Sequence, residues 1–403
     1  MWDYLFTSFL TRSFKHGSLV VNLANGKTLQ LGDGSGVPVE VTMHDPSLTA
    51  KILRNPDMAV GEAYMNGDMT IKDDDLYGFL SLAIRNMGRN GDRFNNPTIM
   101  QKFMQSTRKL LRNISQNNPI GRAQENVAHH YDLSDQLYEL FLDADKQYSC
   151  GYYKTLDDTL EMAQAQKKDL IAKKLCLKPG MRVLDIGSGW GGMALTLARD
   201  YGAHVVGVTL SKEQHKVAVA RAKAEGLEGQ VDFRLQDYRL VQGQFDRIVS
   251  VGMFEHVGVP HYREYFDHIR NFLTTDGVAL IHTIGRAAPP NVTSPWIAKY
   301  IFPGGYVPAL SEVAPIIEDA NLVTTDIEVW RIHYADTLRD WRARFELNID
   351  EAIMLYDETF CRMWRYYLVA AELTFRLDRQ VVFQFQITKQ QEAVPLMRDY
   401  LYL

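Results

Sequence analysis

VLDIGSGWGG, residues 183–192, leads apolar side chains into Asp185 and then sets glycines at 187, 189 and 191. Glycine takes backbone conformations closed to other residues and lets the main chain approach a ligand, so the pattern predicts a strand end, a cofactor loop and a helix starting at Met193. The spacing G-S-G-W-G has no Gly-x-Gly-x-x-Gly register, and the glycine that brings a helix close to a bound pyrophosphate is missing, which counts against a dinucleotide. The next expected strand, HVVGVTLS from His204, ends in Thr209, Leu210 and Ser211, where an acid usually grips ribose hydroxyls. Here Thr209 and Gln214 would do that by neutral hydrogen bonds. A plain tight turn with no ligand is the competing reading of the same ten residues.

Outward from this loop, MRVLDIG, AHVVGVTL, QVDFRLQDY, FDRIVSVGMF and GVALIHTIG alternate with helical or loop segments from about residue 170. That order predicts an α/β fold with a doubly wound, Rossmann-like parallel sheet. VVFQFQITK alternates like an antiparallel final strand, after an aromatic-rich helical stretch from Trp341 to Arg376. Residues 1–115 read as a smaller N-terminal accessory domain: an amphipathic opening, a strand pair around the Ala-Asn-Gly turn of SLVVNLANGKTLQLGDG, and the helical piece AVGEAYMNGDM. The boundary is expected in the polar stretch 112–122, RNISQNNPIGR, followed by helical spacing in AQENVAHHYDLSDQLYELFLD. Residues 116–403 form the expected catalytic domain, with a substrate-side insertion at about 286–376.

Across 403 residues the apolar fraction of 46% is enough for a full core and excludes general disorder. A formal charge of -5 argues against a nucleic-acid partner held by overall charge. Cys150, Cys176 and Cys361 are too few and too scattered for a disulfide framework or a metal knuckle, so no metal is expected and a reducing cytoplasm fits. The opening MWDYLFTSFLTRSFKHG has neither a basic leader nor a long apolar run, and no membrane span is expected.

The glycine loop with its neutral Thr209 resembles that of S-adenosylmethionine-dependent class I methyltransferases. HHYDLSDQLYELFLD, YSCGYY, LDIGSGWGG, GVTLSKEQ, GMFEHVG, HTIGR and YADTLRDW, in that order from about His129, together resemble the cyclopropane fatty acid synthase family, which includes the mycolic acid cyclopropane synthases. GEAYMNGDM resembles the accessory domain of its longer bacterial members. The resemblance implies methylene transfer from S-adenosyl-L-methionine to the cis double bond of a phospholipid acyl chain. It maps cofactor contacts onto Tyr148, Ser149, Asp185, Gly187, Ser188, Gly189, Trp190, Gly191, Thr209, Leu210, Ser211, Gln214, Gln236, Asp237 and Tyr238. It also implies a bound bicarbonate as general base, held by Cys150, Glu255, His282, the amide of Ile284 and Tyr334. Glu255 beside an anion is tolerable only if a proton is shared, so it would orient a protonated partner or draw the proton away. Taken singly, each of these residues has a structural alternative: a small buried thiol, a core histidine, a surface hydroxyl.

An alkene is a weak nucleophile, so the methyl donor must be held close to it in a dry slot, and the cation that follows is best met by aromatic faces. Tyr153, Phe254, Tyr306, Tyr334 and Tyr367 are candidates. Relatives carry a second cysteine in a motif like YYLNACAGAFR; the stretch here is YYLVAAELTFR, with Ala371 at that place, so no covalent thiol intermediate is expected there. The implied partner is a bilayer surface at the inner face of the membrane, and the resemblance also allows a homodimer. Trp2, Leu5, Phe6, Phe9 and Leu10 suit either an interfacial helix or docking onto the accessory domain. The stretch 286–308, with Trp296, Tyr300, Ile301 and Phe302, suits either a lid or a rigid insertion, and Lys299 is a candidate for a lipid phosphate. Two other outcomes stay open: methyl transfer without ring closure, and a silent lipid-binding scaffold.

Overall fold

Val183, Leu184 and Ile186 are all fully buried, which seats strand β5 (Arg182–Ile186) inside a sheet with both faces covered. The structure is a computed structural model and describes residues 1–87 and 134–402. Beside β5 run β6 (His204–Thr209) and β8 (Phe245–Val251), both parallel to it; β7 (Val231–Leu235) follows β6, and β9 (Leu273–Arg286) follows β8. β11 (Gln380–Thr388) lies antiparallel between β9 and β10 (Val323–Trp330). The full order is β10-β11-β9-β8-β5-β6-β7, and the chain reverses its direction of travel between β5 and β8. This is the doubly wound sheet that the alternation predicts, and a switch point of this kind is where such sheets bind ligands.

Side chains alternate between the faces with the strand period of two. Leu184, Ile186, Ile248, Ala279 and Ile281 pack with Phe254, Tyr262, Phe266 and Phe385 in one buried cluster. Val183, Val205, Val249 and Leu280 pack with Ile171, Leu195 and Leu197 in the other. The helix after β5 starts at Gly192 and ends at Tyr201. The expected single helical stretch 341–376 is three helices, His333–Leu347, Ile349–Leu355 and Glu358–Leu377, because the Asp357 carboxylate accepts from the Phe360 amide at 2.7 Å and caps a new start.

The chain divides into two compact units, and the division is not a single cut: Met1–Arg112, Val292–Ile301 and Leu338–Arg379 form one, and Asn113–Asn291, Phe302–Thr337 and Gln380–Leu403 the other. The expected boundary stretch 112–122 and the helical spacing at 123–133 lie outside the described residues. In the first unit β1 (Ser18–Asn22) and β2 (Thr28–Gly32) form the expected hairpin, Asn22 opposite Thr28, and join β3 (Val39–Met43) and β4 (Met69–Ile71). Around them stand α1 (Trp2–Ser13), α2 (Leu48–Arg54), α3 (Pro56–Asn66) and α4 (Leu76–Met87). Phe6 and Leu10 are buried and α1 packs on α2, so the docking reading holds for those two side chains, while Trp2 and Leu5 remain exposed.

The helix Glu358–Leu377 packs on α3 and α4, with Trp296 wedged between Tyr366 at 4.6 Å and Gly61. A Cβ at Gly61 would come within 2.5 Å of the Trp296 ring nitrogen, so only glycine admits the indole. Lys299 pairs with Glu62 at 2.7 Å. Trp296 and Ile301 are buried, as is Tyr306 in the other unit, which makes these parts of 286–308 packed structure in place of a lid. Among the described residues no helix is long and apolar enough to cross a membrane.

Candidate active site

Gly187, Gly189 and Gly191 all adopt positive φ, and the amides of Gly187 and Ser188 donate to the Val208 carbonyl at 2.9 and 3.0 Å. The loop is thereby pinned over the end of β6. Gly189 (φ +55) faces open space, whereas a Cβ on Gly191 would meet the Phe233 ring at 2.6 Å. One glycine clears room for a ligand and the other lets the following helix close on the sheet.

A pocket opens at the carboxyl ends of β5, β6 and β8. Its walls include Tyr148, Ser149, Asp185, Gly187, Ser188, Gly189, Trp190, Thr209, Leu210, Gln214, Gln236, Asp237 and Tyr238. Two expected contacts stand back from it: Gly191 serves helix packing, and the Ser211 hydroxyl accepts from the Gln214 amide at 3.3 Å as a helix cap. Thr209 Oγ1 lies 3.2 Å from Gln214 Oε1, so the two neutral groups sit side by side on the wall. The Asp237 carboxylate accepts from the amide, Nε and Nη2 of Arg239 at 3.0, 2.9 and 2.7 Å, which leaves one lone-pair direction on Oδ2 for a further donor.

Asp185 is buried, and its Oδ2 has no hydrogen-bond partner among the described residues. Burial raises its pKa to about 7, with the Lys167 charge pulling the other way. An orphaned acceptor on a pocket wall asks for a ligand donor, and the ammonium of an amino-acid moiety supplies one. Lys167, on the helix Leu160–Lys174, is fully buried and donates to Gln147 Oε1 and Ser149 Oγ, both at 2.8 Å. Gln164, one turn earlier, donates to the Ser149 carbonyl at 2.8 Å. The helix therefore holds the irregular strap 147–149 against the pocket. Burial lowers the Lys167 pKa to about 8.

The five expected anion ligands do not line this pocket. Cys150 is fully buried, its thiol against the Gly151 carbonyl at 3.3 Å, and burial pushes its pKa up, so it stays a neutral donor. His282 is buried beside Trp330, ring centroids 5.1 Å apart, and its pKa lies well below the ordinary value because of burial and the charges of Lys167 and Lys174. Glu255 follows β8, and its Oε1 accepts from the Ile284 amide at 2.6 Å. That amide carries a single hydrogen, which Glu255 accepts in this structure. Glu255 Oε2 has no partner among the described residues, and burial raises the carboxyl pKa to about 7. Tyr334 is buried in the first turn of the helix His333–Leu347. Of the aromatic candidates, Phe254 stacks on Tyr262 at 4.3 Å and Tyr306 donates to Glu312 at 2.8 Å, both within the core; Tyr367 packs against Trp364 in the other unit. Ala371 lies on the helix Glu358–Leu377 in that unit.

Sequence reading missed Lys167, Gln147, Met253 and Arg239, and it singled out His256 without giving it a role. His256, on the pocket wall and held neutral by burial, adjoins Glu255 in the quoted motif, which was signal enough. Lys167 gave none, because a lysine on a helix reads as solvated.

The sequence profile of mycolic acid cyclopropane synthetase matches residues 120–385, and that of a domain of unknown function, DUF7884, matches residues 5–95. The chain belongs to the mycolic acid cyclopropane synthetase family. It is 40% identical over 339 residues to the cyclopropane-fatty-acyl-phospholipid synthase of Escherichia coli K12, covering 84% of this chain and 85% of that one. It is 41% identical over 259 residues to a probable fatty acid methyltransferase of Pseudomonas putida, covering 62% and 66%. Mycolic acid cyclopropane synthase CmaA1, solved in complex with SAH and CTAB, superposes with a TM-score of 0.63 at 34% identity, over 68% of this chain and 99% of that one. As a member of this family the chain is an S-adenosylmethionine-dependent methyltransferase with a Rossmann-like sheet.

Proposed function

We propose that this enzyme joins the methyl carbon of S-adenosylmethionine to the cis double bond of an unsaturated phospholipid acyl chain and closes a cyclopropane ring, with bicarbonate as general base. The observation that carries the reading is the pocket with its unpartnered Asp185, at the same end of the sheet as a buried carboxylate, Glu255, that also lacks a partner on one oxygen. S-adenosylmethionine, when bound, supplies an electrophilic methyl group. Asp185 would hold its ammonium, Thr209 and Gln214 its ribose, and the remaining lone pair of Asp237 its adenine amino group.

A bicarbonate would be held by the His282 ring N–H, the Tyr334 hydroxyl and the Cys150 thiol, whose one hydrogen must turn to it from the Gly151 carbonyl, and would supply a base for one proton of the transferred carbon. Glu255 Oε2 suits the hydroxyl of such an ion, and a carboxyl with a pKa of about 7 can accept its proton at neutral pH. The Ile284 amide fixes that carboxylate in place. The balance is the carbon–sulfur bond, the alkene π bond and one carbon–hydrogen bond broken, two carbon–carbon single bonds formed, one proton released and S-adenosylhomocysteine leaving with the carbon–sulfur electron pair.

The partner in this reading is a bilayer surface at the inner face of the membrane, and a homodimer is a family-based expectation. A second reading, C-methylation giving a methyl-branched or methyl-alkenyl chain, is favoured by the Pseudomonas relative's name. Incubation with cis-unsaturated phospholipid vesicles and trideuteromethyl cosubstrate separates them. Two retained deuteriums in a product that resists hydrogenation establish the ring; three retained deuteriums, or a hydrogenatable product, overturn it.

A further inference from the structure

Glu328 on β10 lies directly opposite Gln384 on β11, and Gln384 directly opposite His282 on β9, so three polar side chains share one row and one face of the sheet. The row is built into the interior: Gln384 and His282 are 1% and 2% exposed. Lys174, the last residue of the helix Leu160–Lys174, is 1% exposed and directs its ammonium into the row. It pairs with Glu328 and donates to Gln384 Oε1 at 2.6 Å. Gln384 Nε2 lies 3.0 Å from His282 Nδ1.

An ammonium only donates, so the amide oxygen of Gln384 must face Lys174 and its NH₂ must face the histidine. The reversed amide would set two donors against each other in a site closed to water, at the cost of buried unpaired groups. An NH₂ facing Nδ1 requires a lone pair there, and the ring hydrogen then resides on Nε2. We propose that Glu328, Lys174 and Gln384 are positioning residues that hold His282 as the Nε2–H tautomer, so that the ring offers the reaction site a hydrogen-bond donor and never a base. The assignment of a donor role rests on the anion site proposed above; the tautomer does not. It leaves Glu255 as the proton acceptor among these residues. Burial and the two lysine charges keep the ring from taking a second proton.

The test is nitrogen NMR on the full-length protein with ¹⁵N-labelled histidine, the His282 signals assigned by their loss in His282→Gln. The wild type is expected to show a bare Nδ1 and a protonated Nε2; a protonated Nδ1 overturns the proposal without any further variant. In Gln384→Glu the new carboxylate accepts from both Lys174 and the ring, so hydrogen is expected on Nδ1. Turnover should fall at least about tenfold with S-adenosylhomocysteine affinity unchanged. Unmoved ring signals, or moved signals with unchanged turnover, overturn it. Gln384→Met, which keeps the volume, should instead give both tautomers, and a ring still wholly Nε2–H in that variant counts against the relay. If the wild-type protein shows the Nε2–H ring yet makes no labelled lipid product, the functional reading fails and the relay stands.

Discussion

Asp185 and Glu255 are both carboxyls raised to about 7 by burial, yet the proposed function gives them opposite tasks. Asp185 lines the pocket, and its Oδ2 has no partner among the described residues. Its folded pKa lies above the ordinary 3.8, so the folded state holds a proton that the unfolded chain releases. Stability from this group is complete below about pH 4 and is lost as the pH rises through about 7. Asp185→Asn without cofactor should match the wild-type thermal midpoint near pH 4 and exceed it by a few degrees at pH 8. Calorimetry with S-adenosylhomocysteine should show at least about tenfold weaker binding, since the ligand ammonium loses its partner. A variant that is less stable than wild type at pH 8 would contradict this account. In the proposed function Glu255, clamped by Ile284, acts after the cofactor is in place. Its ionised form is the acceptor, so turnover should rise as the pH climbs through about 7. Glu255→Gln should remove that limb and about 99% of turnover while leaving cofactor affinity intact, and equal loss of both would reject its assignment.

The loop between β5 and the helix Gly192–Tyr201 divides its labour between glycines. Gly189→Val adds a branched side chain at positive φ facing the pocket, so affinity for S-adenosylhomocysteine should collapse. Gly191→Ala instead drives a methyl group into Phe233, and the expected reading is a drop in thermal midpoint larger than that of Gly189→Val. The strap 147–149 adds a third case. Lys167→Met should weaken cofactor binding by about tenfold, because Gln147 and Ser149 lose a charged donor while the helix keeps its packing. Full affinity in that variant, measured by calorimetry, would show that the strap holds itself. This loop was legible in the sequence because positive φ is a local demand that only glycine meets cheaply, and so were the strands around it, whose apolar runs reflect burial on two faces. Lys167, Lys174 and Gln384 were not, since a buried polar side chain is defined by partners that lie 18 to 210 residues away along the chain. The contact of the Ile284 amide with Glu255 was hidden for the same reason: nothing local says that Glu255 takes its hydrogen.

At the scale of the molecule, the chain crosses between its two units five times, whereas the sequence suggested one boundary near residue 115. The composition shift of the first hundred residues was readable. That Val292–Ile301 and Leu338–Arg379 pack with them was not, because their apolar surfaces look the same whichever neighbour covers them. The consequence is testable by deleting residues 1–115. The helix Glu358–Leu377 buries ten side chains, among them Trp364, Tyr366 and Phe375, and it packs on α3 and α4. Trp296 loses Gly61 in the deletion, and Arg365 loses Asp74, its partner at 2.7 Å. Uncovering aromatic surface of this size exceeds what an isolated domain tolerates on its exterior. The fragment 116–403 should therefore aggregate or melt at least about 10 °C below the full chain, and co-expressed 1–115 should restore its solubility. A monomeric fragment with the full chain's thermal midpoint would mean that the long helix is held by the catalytic unit alone, and that the first hundred residues are an appendage and not half of a shared core.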